Sequence, residues 1–257
     1  MAGVAFKERG AGTPLVFLHG VGGGAENFDA QLAHFGDTWR AMAWDMPGYG
    51  ASPPLAAAGF EEWADALAKG LEARGVARCV LVGHSIGGMI AQTFVARRPE
   101  RVSALVLSAT SPAFGNPDGD FQRAFVASRI GPLDRGASMA ELAAEFVPGL
   151  VGSDASPEAM RDALASLSRV RPETYRTAMQ ALVRFDARAT LAGIAQPSLL
   201  LAGADDNAAP ARVMERMAQK MQNARCVTIP GMGHLGNIEQ PAALNAAIEA
   251  FLDGLAD

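Results

Sequence analysis

Ser85 stands in Gly83-His84-Ser85-Ile86-Gly87, a serine with a glycine two residues away on each side. The residues before it, Cys79-Val80-Leu81-Val82, read as a short buried strand. Those after it, Ile86 to Arg98, read as a helix that Pro99 closes. A serine held between a strand end and a helix start occupies a strained backbone region, and the flanking glycines let strand and helix approach closely. The turn lifts the hydroxyl out of the sheet and over a helix N-terminus. Free N–H groups and the positive end of the dipole favour a developing negative charge there. The bland alternative is a glycine-rich turn with an incidental serine, and it weakens with each partner found below.

A serine hydroxyl is a poor nucleophile at neutral pH. It needs a base within hydrogen-bond reach, and the base needs an orienting acid. The chain offers four histidines. His34 falls in a helix and reads as a surface residue. His19 ends a strand, and the side chain of His84 points away from its neighbour Ser85. His234 remains, in a glycine-rich loop after the last apolar strand, where α/β sheets place their active sites. The acid is expected on the loop after the preceding strand, which carries Asp205 and Asp206, and chemistry alone leaves both open. Asp45 also ends a strand, but it precedes the serine and reads as structural. The expected donors to a tetrahedral oxyanion are the N–H of Ile86 and one from His19-Gly20-Val21-Gly22-Gly23-Gly24. Val21 is the natural choice there and Gly22 the alternative.

These side chains need a scaffold that brings distant loops together. Val4–Glu8 reads as one edge strand. Pro14–Leu18, Ala41–Trp44, Cys79–Val82, Val102–Leu107, Ser198–Ala202 and Cys226–Ile229 are nearly continuous apolar runs, as strands buried on both faces of a parallel sheet require. Phe60, Trp63, Ala64, Leu67 and Leu71 mark an amphipathic helix stopped at Gly75. A helix over about 211–222 follows the sixth strand. After Pro241, Leu244, Ile248, Phe251, Leu252 and Leu255 share the face of a last helix. The expectation is an α/β fold: a mostly parallel sheet of about seven strands with helices on both faces. Between 112 and 192 no strand is convincing. That stretch breaks into helical pieces at roughly 119–130, 138–147, 156–168 and 172–185, separated by Gly131-Pro132, Pro148-Gly149 and Arg171-Pro172. It reads as a helical insertion, a cap, within a core made of 1–111 and 193–257. Nine arginines lie in it between 123 and 188; most read as solvated faces, and one could meet a substrate carboxylate.

Composition narrows the function classes. Apolar residues are 49% and charged residues 19% of the chain, as in ordinary globular proteins. The net charge of −5 gives no basic patch for nucleic acid. No run of 18 apolar residues exists to cross a membrane. Met1–Lys7 lacks the order of a signal peptide, so a cytoplasmic location is expected. Cys79 and Cys226 each open an apolar run and read as buried thiols of a reducing compartment. No metal-ligand spacing occurs, and the glycine loop lacks the ending of a phosphate cradle. Neither a metal nor a cofactor is expected, and nothing specifies an oligomeric state.

The motif set resembles the α/β-hydrolase family. His19-Gly20 with its glycines, Asp45-Met46-Pro47-Gly48-Tyr49-Gly50-Ala51-Ser52, Gly83-His84-Ser85-Ile86-Gly87-Gly88, Gly203 to Pro210 and Gly233-His234 follow the family's order over about 3–111 and 195–257. In that family the acid comes three residues after the loop glycine and four before the proline, which implies Asp206, with Asp205 as the alternative. Gly233-His234-Leu235-Gly236-Asn237-Ile238-Glu239-Gln240-Pro241 is similar to the 3-oxoadipate enol-lactonase and carboxylesterase branch. The resemblance implies a helical cap, and the short N-terminus leaves room for seven strands rather than eight. It implies a cofactor-free hydrolase of small carboxylic esters or lactones, with a catalytic triad of Ser85, Asp206 and His234. The same triad could serve C–C bond hydrolysis or acyl transfer. The rival from another class is a non-catalytic ligand-binding protein of this fold, for which a complete triad has no use.

Overall fold

A computed structural model describes residues 3–116 and 118–255. Met1 and Ala2 of the expected core, Pro117 of the expected insertion, and Ala256 and Asp257 of the expected core lie outside the described residues.

Among the described residues seven strands form one sheet: β1 (Phe6–Arg9), β2 (Pro14–Leu18), β3 (Arg40–Trp44), β4 (Cys79–His84), β5 (Val102–Ser108), β6 (Ser198–Gly203) and β7 (Ala224–Ile229). Their order is β1-β3-β2-β4-β5-β6-β7. β1 runs antiparallel to β3, with Phe6 opposite Trp44. Every other pairing is parallel, so the C-terminal ends of β2 to β7 share one edge. Among the described residues ten α-helices accompany the sheet: α1 (Asp29–Phe35), α2 (Phe60–Glu72), α3 (Ile86–Arg97), α4 (Asp120–Asp134), α5 (Met139–Phe146), α6 (Pro157–Ser168), α7 (Pro172–Leu182), α8 (Ala211–Ala218), α9 (Gly236–Glu239) and α10 (Pro241–Asp253).

The apolar strand runs divide by alternation. Val16, Leu18, Leu81, Leu105 and Leu200 face one side with Trp63 and Leu67 of α2, Phe94 of α3 and Met214 of α8. Leu15, Phe17, Val80, Val82 and Leu199 face the other with Leu32 of α1 and Ile248 of α10. Both faces are covered, which is why the runs show no polar alternation. The helices are correspondingly one-sided, and truncating a side chain as large as Trp63 would cost about 3–5 kcal/mol.

The helices α4–α7 lie between β5 and β6. Phe114 donates its N–H to Phe185 at 3.0 Å and Ala187 donates to Pro112 at 2.7 Å, so this stretch leaves and rejoins the sheet at one place. Three local expectations need correction. Gly131-Pro132 does not end α4. Pro132 sits in its last turn, where one missing N–H is tolerated because Ile130 and Leu133 are buried and Arg135 closes onto the carbonyls of Gly131 and Pro132. Cys226 is only half-buried, because β7 is an edge strand; Cys79 is buried, and both thiols are free. Leu255 falls beyond α10 and is exposed. No helix among the described residues is long and apolar enough to cross a membrane.

Candidate active site

The turn after β4 explains itself from its residues. Ser85 has φ 54° and ψ −122°, a conformation that costs a non-glycine residue on the order of 1–3 kcal/mol. The surroundings hold it there. Its N–H donates to Ser108 at 2.9 Å, and its carbonyl accepts from Gly88 N–H at 2.9 Å and from the Thr110 hydroxyl at 2.8 Å. A Cβ at Gly83 would come within 2.6 Å of the Gly87 carbonyl, and one at Gly87 within 2.2 Å of the Leu18 carbonyl. Only glycine permits that approach of α3 to β2 and β4.

The loops after β6 and β7 complete the arrangement. His234 Nε2 lies 3.0 Å from Ser85 Oγ, and His234 Nδ1 lies 2.9 Å from Asp206 Oδ2. A carboxylate can only accept, so Nδ1 carries the proton and Nε2 offers its lone pair to the serine hydroxyl. The other Asp206 oxygen accepts from the N–H groups of Ala208 at 2.7 Å and Ala209 at 2.9 Å. Burial opposes ionisation of Asp206. The facing His234 and the N–H groups of Ala209 and Ala208 outweigh it and hold the carboxyl below its usual range. Asp205 points elsewhere and accepts from Ser153 N–H at 2.9 Å. Of the two candidate acids, the geometry therefore brings only Asp206 to His234.

His234 is gripped on its main chain as well. Its N–H donates to Leu150 at 2.7 Å, and its carbonyl accepts from His84 Nε2 at 2.7 Å. Glu239 accepts from Gly233 at 2.9 Å, Leu235 at 2.6 Å and Gly152 at 2.7 Å. These positioning roles of His84 and Glu239 have no local signal. Glu239 lies on a one-turn helix that no periodicity reveals, and its burial depends on Gly152 arriving from the insertion. Burial, with the His234 ring adding to it, pushes His84 down to about 3, so it is neutral at physiological pH.

His19 is not part of this chain of contacts. Its Nδ1–H donates to Gly20 at 2.8 Å and its Nε2 accepts from Met46 N–H at 2.9 Å, which ties the β2 and β3 loops together. Burial lowers its pKa as well. Asp45 accepts from Ala25 and Ala51 N–H groups at 2.9 and 3.0 Å, the structural part expected of it. His34 is partly exposed beside Glu249. Ile86 is the first residue of α3, so its N–H has no intrahelical partner. Among the described residues no acceptor takes the N–H of Val21 or Ile86. The Gly22 carbonyl is held by the Ser166 hydroxyl of α6 at 2.8 Å.

Ser85 and His234 open onto a cavity of about 490 Å³ between the sheet edge and α4–α7. Its walls are mostly apolar, with Phe114, Phe125, Phe146, Leu167, Met179 and Leu182 prominent. That is the size and character of a small-molecule site.

Fold, topology and site together define the class, and the sequence family described as the alpha/beta hydrolase fold matches residues 13–241. The chain belongs to the α/β-hydrolase family. It is 28% identical to a pimeloyl-[acyl-carrier protein] methyl ester esterase of Pectobacterium carotovorum, over 98% of this chain and 99% of that one. It is 25% identical to 3-oxoadipate enol-lactonase 2 of Acinetobacter baylyi, over 93% of this chain and 88% of the other. Among solved structures it is similar to a malate-bound thermophilic esterase from Thermogutta terrifontis, with a TM-score of 0.90, 27% identity, and coverage of 98% and 93%. The resemblance to the esterase and enol-lactonase branch therefore holds over nearly the whole chain.

Proposed function

We propose that this protein is a serine hydrolase of small carboxylic esters or lactones, acting through Ser85, His234 and Asp206. The observation that carries the reading is the unbroken line from Ser85 Oγ to His234 Nε2 at 3.0 Å and from His234 Nδ1 to Asp206 Oδ2 at 2.9 Å, open to a largely apolar cavity. Esterase and lactonase relatives support the substrate class.

Ser85 Oγ attacks the ester carbonyl while His234 Nε2 takes its proton. The carbonyl oxygen gains the negative charge and accepts from the N–H groups of Ile86 and Val21; losing one such donor typically costs about 100- to 1000-fold in rate. His234 then returns the proton to the leaving alcohol, and the acyl group stays on Ser85. Water, activated by the same imidazole, releases the acid and restores the hydroxyl. Asp206 holds the tautomer and stabilises the imidazolium at each stage. No step needs a cofactor. Residues 112–192 act as a cap on the core of 1–111 and 193–257, shaping the site. The two unpaired cysteines favour a reducing, cytoplasmic setting.

Hydrolysis of p-nitrophenyl acetate and butyrate tests the reading. The wild type turns both over, and Ser85→Ala lowers kcat by at least about 10⁴-fold. Equal rates for the two proteins would reject Ser85 as the nucleophile.

A further inference from the structure

Eight of the nine arginines between 123 and 188 are accounted for. Arg123, Arg169, Arg176 and Arg188 form ion pairs with Asp120, Glu26, Asp134 and Asp186. Arg171 donates to the Gly48 carbonyl. Arg135, Arg161 and Arg184 are exposed.

Arg129 differs from all of them. It is half-buried on α4, and it lines the cavity that Ser85 and His234 open onto. It stands 3.7 Å from the centroid of the Phe146 ring and 5.3 Å from that of Phe125. Among the described residues it makes no ion pair and no hydrogen bond. Glu145 is near enough to feel its charge, yet it is exposed and does not bridge to it. Tyr175, also in the cavity wall and within electrostatic reach of Arg129, is buried, and its hydroxyl has no partner among the described residues. Among the described residues, Arg129 is the one permanently charged side chain lining the cavity.

A half-buried cation without an anion is costly, and stacking on aromatic rings offsets only part of that. A guanidinium fork and a hydroxyl donor in one apolar wall suit a planar monoanion. We infer that Arg129, with Tyr175 beside it, anchors a free carboxylate on the substrate. The molecules cleaved at Ser85 are then esters or lactones of acids that carry a second, ionised carboxyl group. A single positive charge suits a carboxylate better than a dianionic phosphate. The inference rests on the hydrolase reading for its chemistry, and on the cavity wall alone for its anion.

The test compares monomethyl succinate, glutarate and adipate with the neutral methyl esters of the same chain lengths, followed by methanol release. In the wild type kcat/KM favours the best anionic ester over its neutral match. In Arg129→Met that ratio falls by roughly 10- to 100-fold, carried by KM, as expected for losing a hydrogen-bonded charge. Arg129→Lys, which keeps the charge, recovers part of the ratio. A ratio within one protein is insensitive to how much of it is folded. An unchanged ratio in Arg129→Met, or a wild-type preference for the neutral esters, overturns the inference and leaves the hydrolase reading standing. A second arm uses calorimetry on Ser85→Ala, with glutarate and inorganic phosphate as probes. Glutarate binds, phosphate binds more weakly, and Arg129→Met in that background abolishes the glutarate signal. Phosphate binding as tightly as glutarate, or glutarate binding that ignores Arg129, would also overturn it. Should every ester prove inert while glutarate binding still depends on Arg129, the anion site stands and the hydrolase reading falls.

Discussion

His234 is fixed by hydrogen bonds to both ring nitrogens, its N–H and its carbonyl. Across the cavity, Phe146, Leu167 and Met179 meet it with apolar groups held by packing alone. Hydrogen bonds are directional and set atoms to within tenths of an ångström, whereas apolar packing accepts other side chains of similar volume. The sheet-edge loops are thus suited to keeping a reaction unchanged. The helical wall is suited to changing what is allowed to undergo it. The two regions still touch. Leu150 and Gly152 of the insertion help hold the His234 loop, and Ser166 holds the glycine loop at Gly22.

The comparison breaks most visibly at the acid. Asp206→Asn keeps the shape but offers an amide where the imidazole N–H expects an acceptor, so kcat falls by on the order of 10⁴-fold. Asp205→Asn, one residue away, leaves kcat within about threefold, because Asp205 holds Ser153 and not the base. Ester turnover by the two variants is the check, and similar losses would show that the loop, not the carboxylate, matters.

A wall substitution sharpens the contrast at smaller scale. Met179→Ala enlarges the cavity and should shift the kcat/KM ratio of p-nitrophenyl octanoate to butyrate on the order of tenfold toward the longer chain. Its kcat on butyrate stays within several-fold of wild type. A collapse of kcat instead would mean that the wall positions Ser85 and His234. The same change lowers stability by about 2–5 kcal/mol, seen in urea unfolding.

The smallest effect concerns the buried histidines that hold the loops. His84 has an ordinary value of 6.5 and is pushed down to about 3 by burial, with the His234 ring adding to it. Between those values the unfolded chain binds a proton that the folded chain refuses, so stability falls as pH drops below 6.5. From pH 6.5 to 5.5 His84 alone removes about 1 kcal/mol. His19, also lowered by burial, acts in the same direction. Asp206 is lowered from 3.8, so its contribution is present above that value and disappears only in stronger acid. Urea unfolding at the two pH values should show the fall, and His84→Gln should remove about 1 kcal/mol of it. An undiminished slope would place the lost stability elsewhere.

These regions also differ in how far the sequence alone reveals them. Ser85 announces itself because strand, glycines and helix are contiguous. The parallel sheet follows from apolar runs that need no partner to be recognised. His234 follows by elimination among four histidines. Asp205 and Asp206 are adjacent in one loop, and only the loop's path decides which carboxylate turns toward the imidazole. His84 bonds to His234, far away in sequence, and Glu239 joins its neighbours Gly233 and Leu235 to the distant Gly152, so their types carry no warning. Gly131-Pro132 reads as a break but lies inside α4, because burial of Ile130 and Leu133 overrides the local preference. Arg129 looks like any other arginine of the insertion until helix packing turns it to the cavity.

An activated alcohol at position 85 should react with a fluorophosphonate probe, which reads it without knowledge of the substrate. Mass spectrometry of the treated protein should find one adduct per chain, on Ser85, absent from Ser85→Ala and formed far more slowly in His234→Ala. No adduct, or one on another residue, would contradict the account.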